Sequence, residues 1–176
     1  MQNRRHFIQT LAAASLIPMW GREVSRAAET AKAAQDAKAA KTPDENLVVL
    51  LSDLHVGPDP THQLKGLDRC VSQILGMDSL PANVLLYGDL AYDHGLVRDY
   101  ELLKTALAPL EQAGIVWTPA FGNHDRRDEF YSVFPEKKTD FVPERMVQIV
   151  ETPTCGFILL DSLDVGRVSG KVDENQ

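Results

Sequence analysis

Three short clusters of polar residues carry side chains that suit metal-assisted chemistry. They are Ser52-Asp53-Leu54-His55, Gly88-Asp89 and Gly122-Asn123-His124-Asp125. Carboxylate oxygens, imidazole nitrogens and amide oxygens are ligands for divalent metals of intermediate hardness, such as Mn, Fe, Zn or Ni. Asp53 and His55 are two residues apart, so on an extended segment their side chains start out on the same side. Asp89 has two carboxylate oxygens and can bridge two cations.

Each cluster directly follows a short apolar run, at Leu47–Leu51, Asn83–Tyr87 and Ile115–Phe121. Apolar runs this short, ended by polar residues, favour strands that are buried on both faces. In open α/β sheets, ligands gather beyond the carboxyl ends of parallel strands. We therefore expect the three clusters to meet at one edge of a sheet.

The segments between these strands show helical spacing of apolar residues, over 64–77 and 99–113. Strand, helix, strand, helix, strand predicts a parallel sheet with right-handed crossovers. The pattern then changes, because 146–150 and 156–160 are two short apolar runs separated by a turn sequence containing Pro153. This predicts a β-hairpin, and hence a mixed arrangement of strands within an α/β fold.

Taken singly, Asp-x-His is common and Gly-Asp usually marks a turn, whereas Gly-Asn-His-Asp directly after a buried strand is moderately specific. Their order and their places after strands make the combination specific. His62 and His94 are interpreted as solvated loop histidines. The pair Arg126-Arg127 could contact a substrate phosphate or could be a plain surface pair, and both alternatives stay open. Asp161 ends a predicted strand and could face the site.

The three clusters resemble the D-x-H, G-D and G-N-H-D/E motifs of the calcineurin-like metallophosphoesterase family. The resemblance runs from about Leu47 to about Asp161, and Ser52–Gly57 is most similar to the bacterial branch that includes cyclic-nucleotide phosphodiesterases. It implies a fold class of α/β type, a two-sheet mixed sandwich flanked by helices. It also implies metal-dependent hydrolysis of a phosphodiester or phosphomonoester of a small molecule.

The resemblance further implies a site with two divalent metal ions, of which Asp89 would bridge both. The implied metal ligands are Asp53, His55, Asp89 and Asn123. His124 would lie near the leaving-group oxygen as a proton donor or transition-state stabiliser, and Asp125 would orient its imidazole. Two ions in such a site lower the pKa of a water and neutralise charge on the phosphoryl group.

The sequence departs from the family pattern after His124, because no further histidine follows it. The family has a histidine and a Gly-His-x-His segment downstream. We expect from this a C-terminally truncated chain with impaired activity. The alternative is a non-catalytic fragment, or an exported binding or interaction module.

The first residues resemble a twin-arginine export signal. Arg4-Arg5 precedes an apolar run, Phe7–Trp20, and small residues follow at Ser25-Arg26-Ala27. The run is shorter than the ~20 residues that cross a bilayer. We predict a signal peptide over 1–27, an Ala/Lys-rich linker over 28–44 and the phosphoesterase domain over 45–176. Export by the twin-arginine machinery to the periplasm or the outside follows; a basic first helix of a cytoplasmic protein is the alternative.

The overall composition narrows the possible partners. The net charge of −7 disfavours nucleic-acid binding through bulk charge, because phosphate neutralisation needs clustered Lys and Arg. Two cysteines, Cys70 and Cys155, are too few for a disulfide scaffold. Two alternatives stay open for these cysteines, a single disulfide between them or two free thiols.

Overall fold

The computed structural model describes residues 41–58 and 62–176. The predicted signal peptide, and the predicted linker up to residue 40, fall outside these residues. The described elements are the following: β1 (Pro43–Leu51), α1 (His62–Gly76), β2 (Leu80–Tyr87), α2 (Val97–Gln112), β3 (Val116–Ala120), α3 (Arg127–Val133), a 3-10 turn (Pro135–Lys137), β4 (Gln148–Glu151) and β5 (Gly156–Leu159).

The first three strands form a parallel sheet in the order β1-β2-β3. This confirms the predicted α/β class with a parallel sheet. β1 begins at Pro43, earlier than the apolar run indicates. Pro43 pairs with Leu80, and the register of the two strands shifts between Asp44 and Val48. A proline is tolerated there because the first residue of an edge strand need not donate to the ladder. The last residues of the predicted linker therefore belong to the sheet.

The main core lies between this sheet and helices α1 and α2. The central strand β2 buries Val84, Leu85 and Leu86 completely, as expected for a strand covered on both faces. Leu103 and Leu107 of α2, one helical turn apart, are also fully buried. Each such side chain contributes roughly 1.5–3 kcal/mol when removed from water. This packing holds the strand ends, and with them the polar clusters, at one edge.

The predicted hairpin is present, but it forms a separate two-stranded antiparallel sheet. Leu159 of β5 packs with Leu85 and Ala120 on the side of the parallel sheet away from the main core. β4 begins at Gln148, two residues later than predicted, because the Met146 amide donates instead to the Asp161 carboxylate at 2.8 Å. Within the described residues, the parallel and the antiparallel strands therefore lie in two separate sheets.

Helix α3 was not predicted from the sequence. It is short and begins with the charged residues Arg127-Asp128-Glu129, so it shows little apolar periodicity. One fully buried ring anchors it: Phe130 makes edge contacts with Tyr100 and Phe121, at centroid distances of 5.3 and 5.1 Å. The helix thus packs the chain that follows the third cluster back onto the core.

The described residues contain no membrane-spanning helix and no disulfide. Within 41–58 and 62–176, no helix has both the length and the apolar character needed to cross a membrane. Cys70 and Cys155 are both free thiols.

Candidate metal centre

The three polar clusters lie where β1, β2 and β3 end, and backbone hydrogen bonds join the first two. The amide of His55 donates to the Asp89 carbonyl at 2.8 Å, and the amide of Val56 donates to the Leu90 carbonyl at 2.9 Å. The Asp53 amide contacts the Gly88 carbonyl at 3.2 Å. The chain beyond β1 therefore runs beside the chain beyond β2, as the parallel topology predicts.

Three side chains converge at this edge: His55, Asp89 and His124 each offer one ligand atom, and these atoms lie within 4.8 Å of one another. Nε2 of His55 is 3.8 Å from Oδ2 of Asp89 and 4.0 Å from Oδ1 of Asp53. The Asp53 and Asp89 carboxylates flank one nitrogen, so these two oxygens are at most about 8 Å apart. A cation could be held by this group of donors.

The converging group shares His55 and Asp89 with the ligand set that the resemblance implied, but it lacks Asp53 and Asn123. It contains His124, for which a role beside the leaving-group oxygen was expected. Asp53 lies at its exposed rim, with 69% of its side chain accessible. Asn123 precedes His124 in the same turn, and its carbonyl accepts from Nη1 of Arg126 at 3.3 Å. Metal binding by Asn123 stays a prediction.

The backbone at the site is unusual. Asp53, His55 and Asp89 all have positive φ, at 55°, 43° and 49°. Such left-handed conformations cost roughly 1–3 kcal/mol at a non-glycine residue and persist only where the surroundings impose them. The extended segment assumed for Asp53 and His55 is therefore wrong. Left-handed backbone conformations, and not strand alternation, accompany the approach of their side chains.

Two glycines allow the second and third clusters to touch. Gly88 has φ of 79°, and a Cβ there would lie 2.8 Å from the Gly122 nitrogen. A Cβ on Gly122 would overlap the Asp89 carboxylate. The amide of His124 also donates to Oδ1 of Asp89 at 3.1 Å. The Gly-Asp and Gly-Asn-His-Asp motifs are thus two halves of one interlocked pair of loops.

The Asp125 side chain is fully buried behind these loops and organises their backbone. Its carboxylate accepts from the amides of Leu90, Ala91 and Gly122, and from the Tyr100 hydroxyl at 3.2 Å. Burial raises the pKa of Asp125 to about 6, against these hydrogen bonds, which lower it. We expected Asp125 to orient the His124 imidazole. Its hydrogen bonds go to the backbone of both loops and to the Tyr100 hydroxyl, and its role toward the imidazole stays a prediction.

The imidazoles themselves face groups that the sequence analysis did not assign. Nδ1 of His124 lies 3.1 Å from the Tyr92 carbonyl oxygen and 3.9 Å from Oδ1 of Asp93. Nδ1 of His55 lies 3.2 Å from the same carbonyl. A backbone carbonyl leaves no signal in the residue types, whereas Asp93, four residues after Asp89, was a detectable candidate. His94 is largely exposed, as interpreted, and its Nε2 is 3.0 Å from Oδ2 of Asp93.

The guanidinium of Arg127 is held by a buried carboxylate, so Arg127 is not a plain surface residue, and its contact with a substrate phosphate stays a prediction. Its Nε and Nη2 each donate to Asp161 at 2.6 Å, and Nη2 also donates to the Leu163 carbonyl at 2.8 Å. Asp161 is fully buried. Arg127 and Asp161 therefore join α3, which begins two residues after the third cluster, to the chain that follows β5.

A cavity of about 270 Å³ shares Tyr92 and Asp93 with the surroundings of the histidines. Its lining also includes Leu96 and the buried Asp99. Burial raises the pKa of the Asp99 carboxyl, although the Leu96 amide donates to its Oδ2 at 3.3 Å and lowers it. The cavity offers space for an organic group beside the Tyr92–Asp93 segment that the two histidines face.

No protein-family model matches this chain, and no curated protein matches it. The resemblance to calcineurin-like metallophosphoesterases therefore stays an expectation that rests on the three sequence motifs.

Proposed function

We propose that this chain is a phosphoric-ester hydrolase that uses divalent cations. The observation that carries the proposal is the convergence of His55, Asp89 and His124 within 4.8 Å at the ends of three parallel strands. Asp53 lies 4.0 Å from His55 at the rim of the same group. Imidazole and carboxylate donors together suit Mn, Fe, Zn or Ni.

The donor set fits divalent cations in its chemistry and in its burial. The side chains of His55 and Asp89 are 26% and 17% accessible, so they are partly desolvated yet open to a substrate. Asp53, His55 and Asp89 would hold the cations, and Asn123 would add an amide oxygen beside them. Bound divalent cations would supply positive charge to a phosphoryl oxygen and would make a nearby water more acidic.

His124 is suited to proton transfer at the oxygen that leaves phosphorus. Its Nδ1 is occupied by the Tyr92 carbonyl, so Nε2 is the nitrogen available to a substrate. A positioned imidazole contributes about 10²–10⁴-fold in such a role. Asp125 supports it through the loop backbone, because its carboxylate binds the amide of Gly122, two residues before His124.

The cavity beside Tyr92 supports a substrate with an organic group of modest size. We also propose the two-sheet sandwich of metallophosphoesterases as the architecture, supported by the packing of Leu159 against Leu85 and Ala120. The identity of the substrate is left to experiment, because apolar lining and a buried carboxylate are compatible with many phosphoesters.

The proposal is tested by measuring turnover of bis-p-nitrophenyl phosphate with added Mn²⁺. The Asp89→Asn variant should lose at least about 100-fold in rate, since even groups that only support a ligand cost 10–100-fold. The matched control is Asp68→Asn, an exposed carboxylate on α1, which should leave the rate unchanged. Cation-independent turnover, or equal rates for both variants, would contradict the proposal.

The same experiment separates the hydrolase from a non-catalytic binding module. Cation binding that Asp89→Asn removes, without turnover of this or a phosphomonoester substrate, would favour the binding module.

We propose export of the chain as a separate matter, because the twin-arginine pattern is its only support. A reporter fused after Ala28 should reach the periplasm, and the double substitution Arg4→Lys, Arg5→Lys should prevent this. Unchanged export of the double variant would contradict the twin-arginine interpretation.

A further inference from the structure

One backbone oxygen serves both histidines of the candidate metal centre. The Tyr92 carbonyl lies 3.2 Å from Nδ1 of His55 and 3.1 Å from Nδ1 of His124. The two rings meet edge to face, with centroids 4.8 Å apart and planes at 88°. A carbonyl oxygen has two lone pairs, so it can accept from both rings at once.

The shared acceptor determines where each ring carries its hydrogen. A carbonyl oxygen can only accept a hydrogen bond, so each Nδ1 must be the donor. In a neutral imidazole, Nε2 then carries no hydrogen and has a free lone pair. For His55 that lone pair lies 3.8 Å from Oδ2 of Asp89. A cation ligand needs such a lone pair, and a hydrogen bond to the other ring nitrogen is how proteins set it.

Gly57 determines how closely the Tyr92 segment can approach. It is buried, and a Cβ on it would lie 2.7 Å from Cβ of Tyr92 and 3.0 Å from its Cγ. Atoms at those distances overlap, so any side chain at residue 57 must displace Tyr92. The approach is otherwise secured by the bridge between Val56 and Ala91 and by the Asp125 carboxylate, which accepts from the Ala91 amide at 3.1 Å.

We infer that the Tyr92 carbonyl, admitted by Gly57, is a positioning group that holds His55 and His124 in the Nδ1–H tautomer and so leaves the Nε2 lone pair of each ring free for a cation or a substrate. The cation and the substrate in this inference rest on the proposed function. The tautomer of each ring is a separate property of the metal-free chain, and it can be tested without turnover.

The direct test is the tautomeric state of each histidine in the metal-free full chain. Long-range ¹H–¹⁵N correlation spectra distinguish Nδ1–H from Nε2–H, and they should be recorded well above the ordinary histidine pKa of about 6.5. The 5 histidines can be assigned with single His→Gln variants. His55 and His124 should be in the Nδ1–H form. His94 is an internal comparison, because its Nε2 faces Oδ2 of Asp93 at 3.0 Å and should carry the hydrogen.

The Gly57→Ala variant tests the cause. It should shift His55 and His124 towards a mixture of tautomers and weaken Zn²⁺ binding, measured by calorimetry, by about 10- to 100-fold. The matched control is Gly66→Ala on α1, where a Cβ would meet nothing within 4 Å and both properties should be unchanged. Adding Tyr92→Gly to Gly57→Ala removes the atoms that overlap but keeps the carbonyl, so the double variant should recover the tautomers and most of the Zn²⁺ affinity.

The inference is overturned if either wild-type histidine carries its hydrogen on Nε2. It is also overturned if Gly57→Ala leaves tautomers and Zn²⁺ affinity unchanged, or if the double variant shows no recovery. Should Gly57→Ala fail to fold, the wild-type spectra still decide. Absence of phosphoesterase activity together with the expected tautomers would instead contradict the proposed function alone.

Discussion

Replacing Arg127 by methionine should destabilise the protein strongly, although Arg127 lies outside the ligand clusters. Methionine keeps much of the length of the side chain but removes its charge and all its donors. The carboxylate of Asp161 is fully buried, and it receives both of its shortest hydrogen bonds, at 2.6 Å, from this guanidinium. The amides of Met146 and Leu163 remain as donors, at 2.8 and 3.0 Å.

The expected loss follows from this buried charge. Removing one partner of a buried ion pair costs roughly 3–5 kcal/mol, because the other charge stays desolvated. Because the Met146 and Leu163 amides still donate to the Asp161 carboxylate, the loss for Arg127→Met should lie at the lower end of this range, about 3 kcal/mol. For a domain of this size, this corresponds to a fall in melting temperature of roughly 10 °C. Arg127→Met combined with Asp161→Asn buries no charge, so the double variant should recover a substantial part of the loss.

The assay is urea and thermal unfolding followed by far-ultraviolet circular dichroism. Arg167→Met is the matched control, because Arg167 is 73% accessible and its Nε is 3.5 Å from Asp164. Such a surface pair contributes at most about 1 kcal/mol. The reasoning is refuted if Arg127→Met costs no more than Arg167→Met, or if the double variant is no more stable than the single one. A raised KM with unchanged stability would indicate instead that Arg127 contacts substrate phosphate.

Three further perturbations probe the interlocked loops. Gly122→Ala should weaken cation binding by at least about 100-fold in a calorimetric titration, because its Cβ overlaps the Asp89 carboxylate; Gly156→Ala, which meets nothing within 4 Å, should have no effect. Tyr100→Phe should lower the free energy of unfolding by about 2 kcal/mol, because the buried Tyr100 hydroxyl donates to the Asp125 carboxylate and accepts from the Arg126 amide at 2.8 Å. An unchanged urea midpoint would count against this. The raised pKa of Asp125, about 6 against an ordinary 3.8, means that the folded state binds this proton more tightly. Its contribution to stability is therefore greatest below about pH 4 and falls by roughly 3 kcal/mol as the pH rises through 6. Asp125→Asn should lack that slope in the metal-free chain, and an identical slope in both proteins would contradict the assignment.

The parallel sheet could be predicted because its strands have a local signature. Runs such as Val84 to Leu86 are apolar at every position, and only a strand covered on both faces satisfies such a run. The helical spacing of Leu103 and Leu107 marks α2 in the same way. Elements that depend on contacts with residues distant in sequence were missed. Helix α3 depends on the contacts of Phe130 with Tyr100 and Phe121, and the start of β1 depends on the pairing of Pro43 with Leu80.

By itself, the sequence determined the chemical types at the site and the strand ends that carry them. Carboxylate and imidazole groups after buried strands must share one edge when those strands are parallel, and His55, Asp89 and His124 do converge there. The tertiary structure alone decided which groups face one another. Asp125 is buried where it accepts from the Leu90, Ala91 and Gly122 amides, and the Tyr92 carbonyl lies against both histidines. Such contacts depend on backbone atoms, which every residue shares, and on the close approach of separate loops, so residue types do not encode them locally.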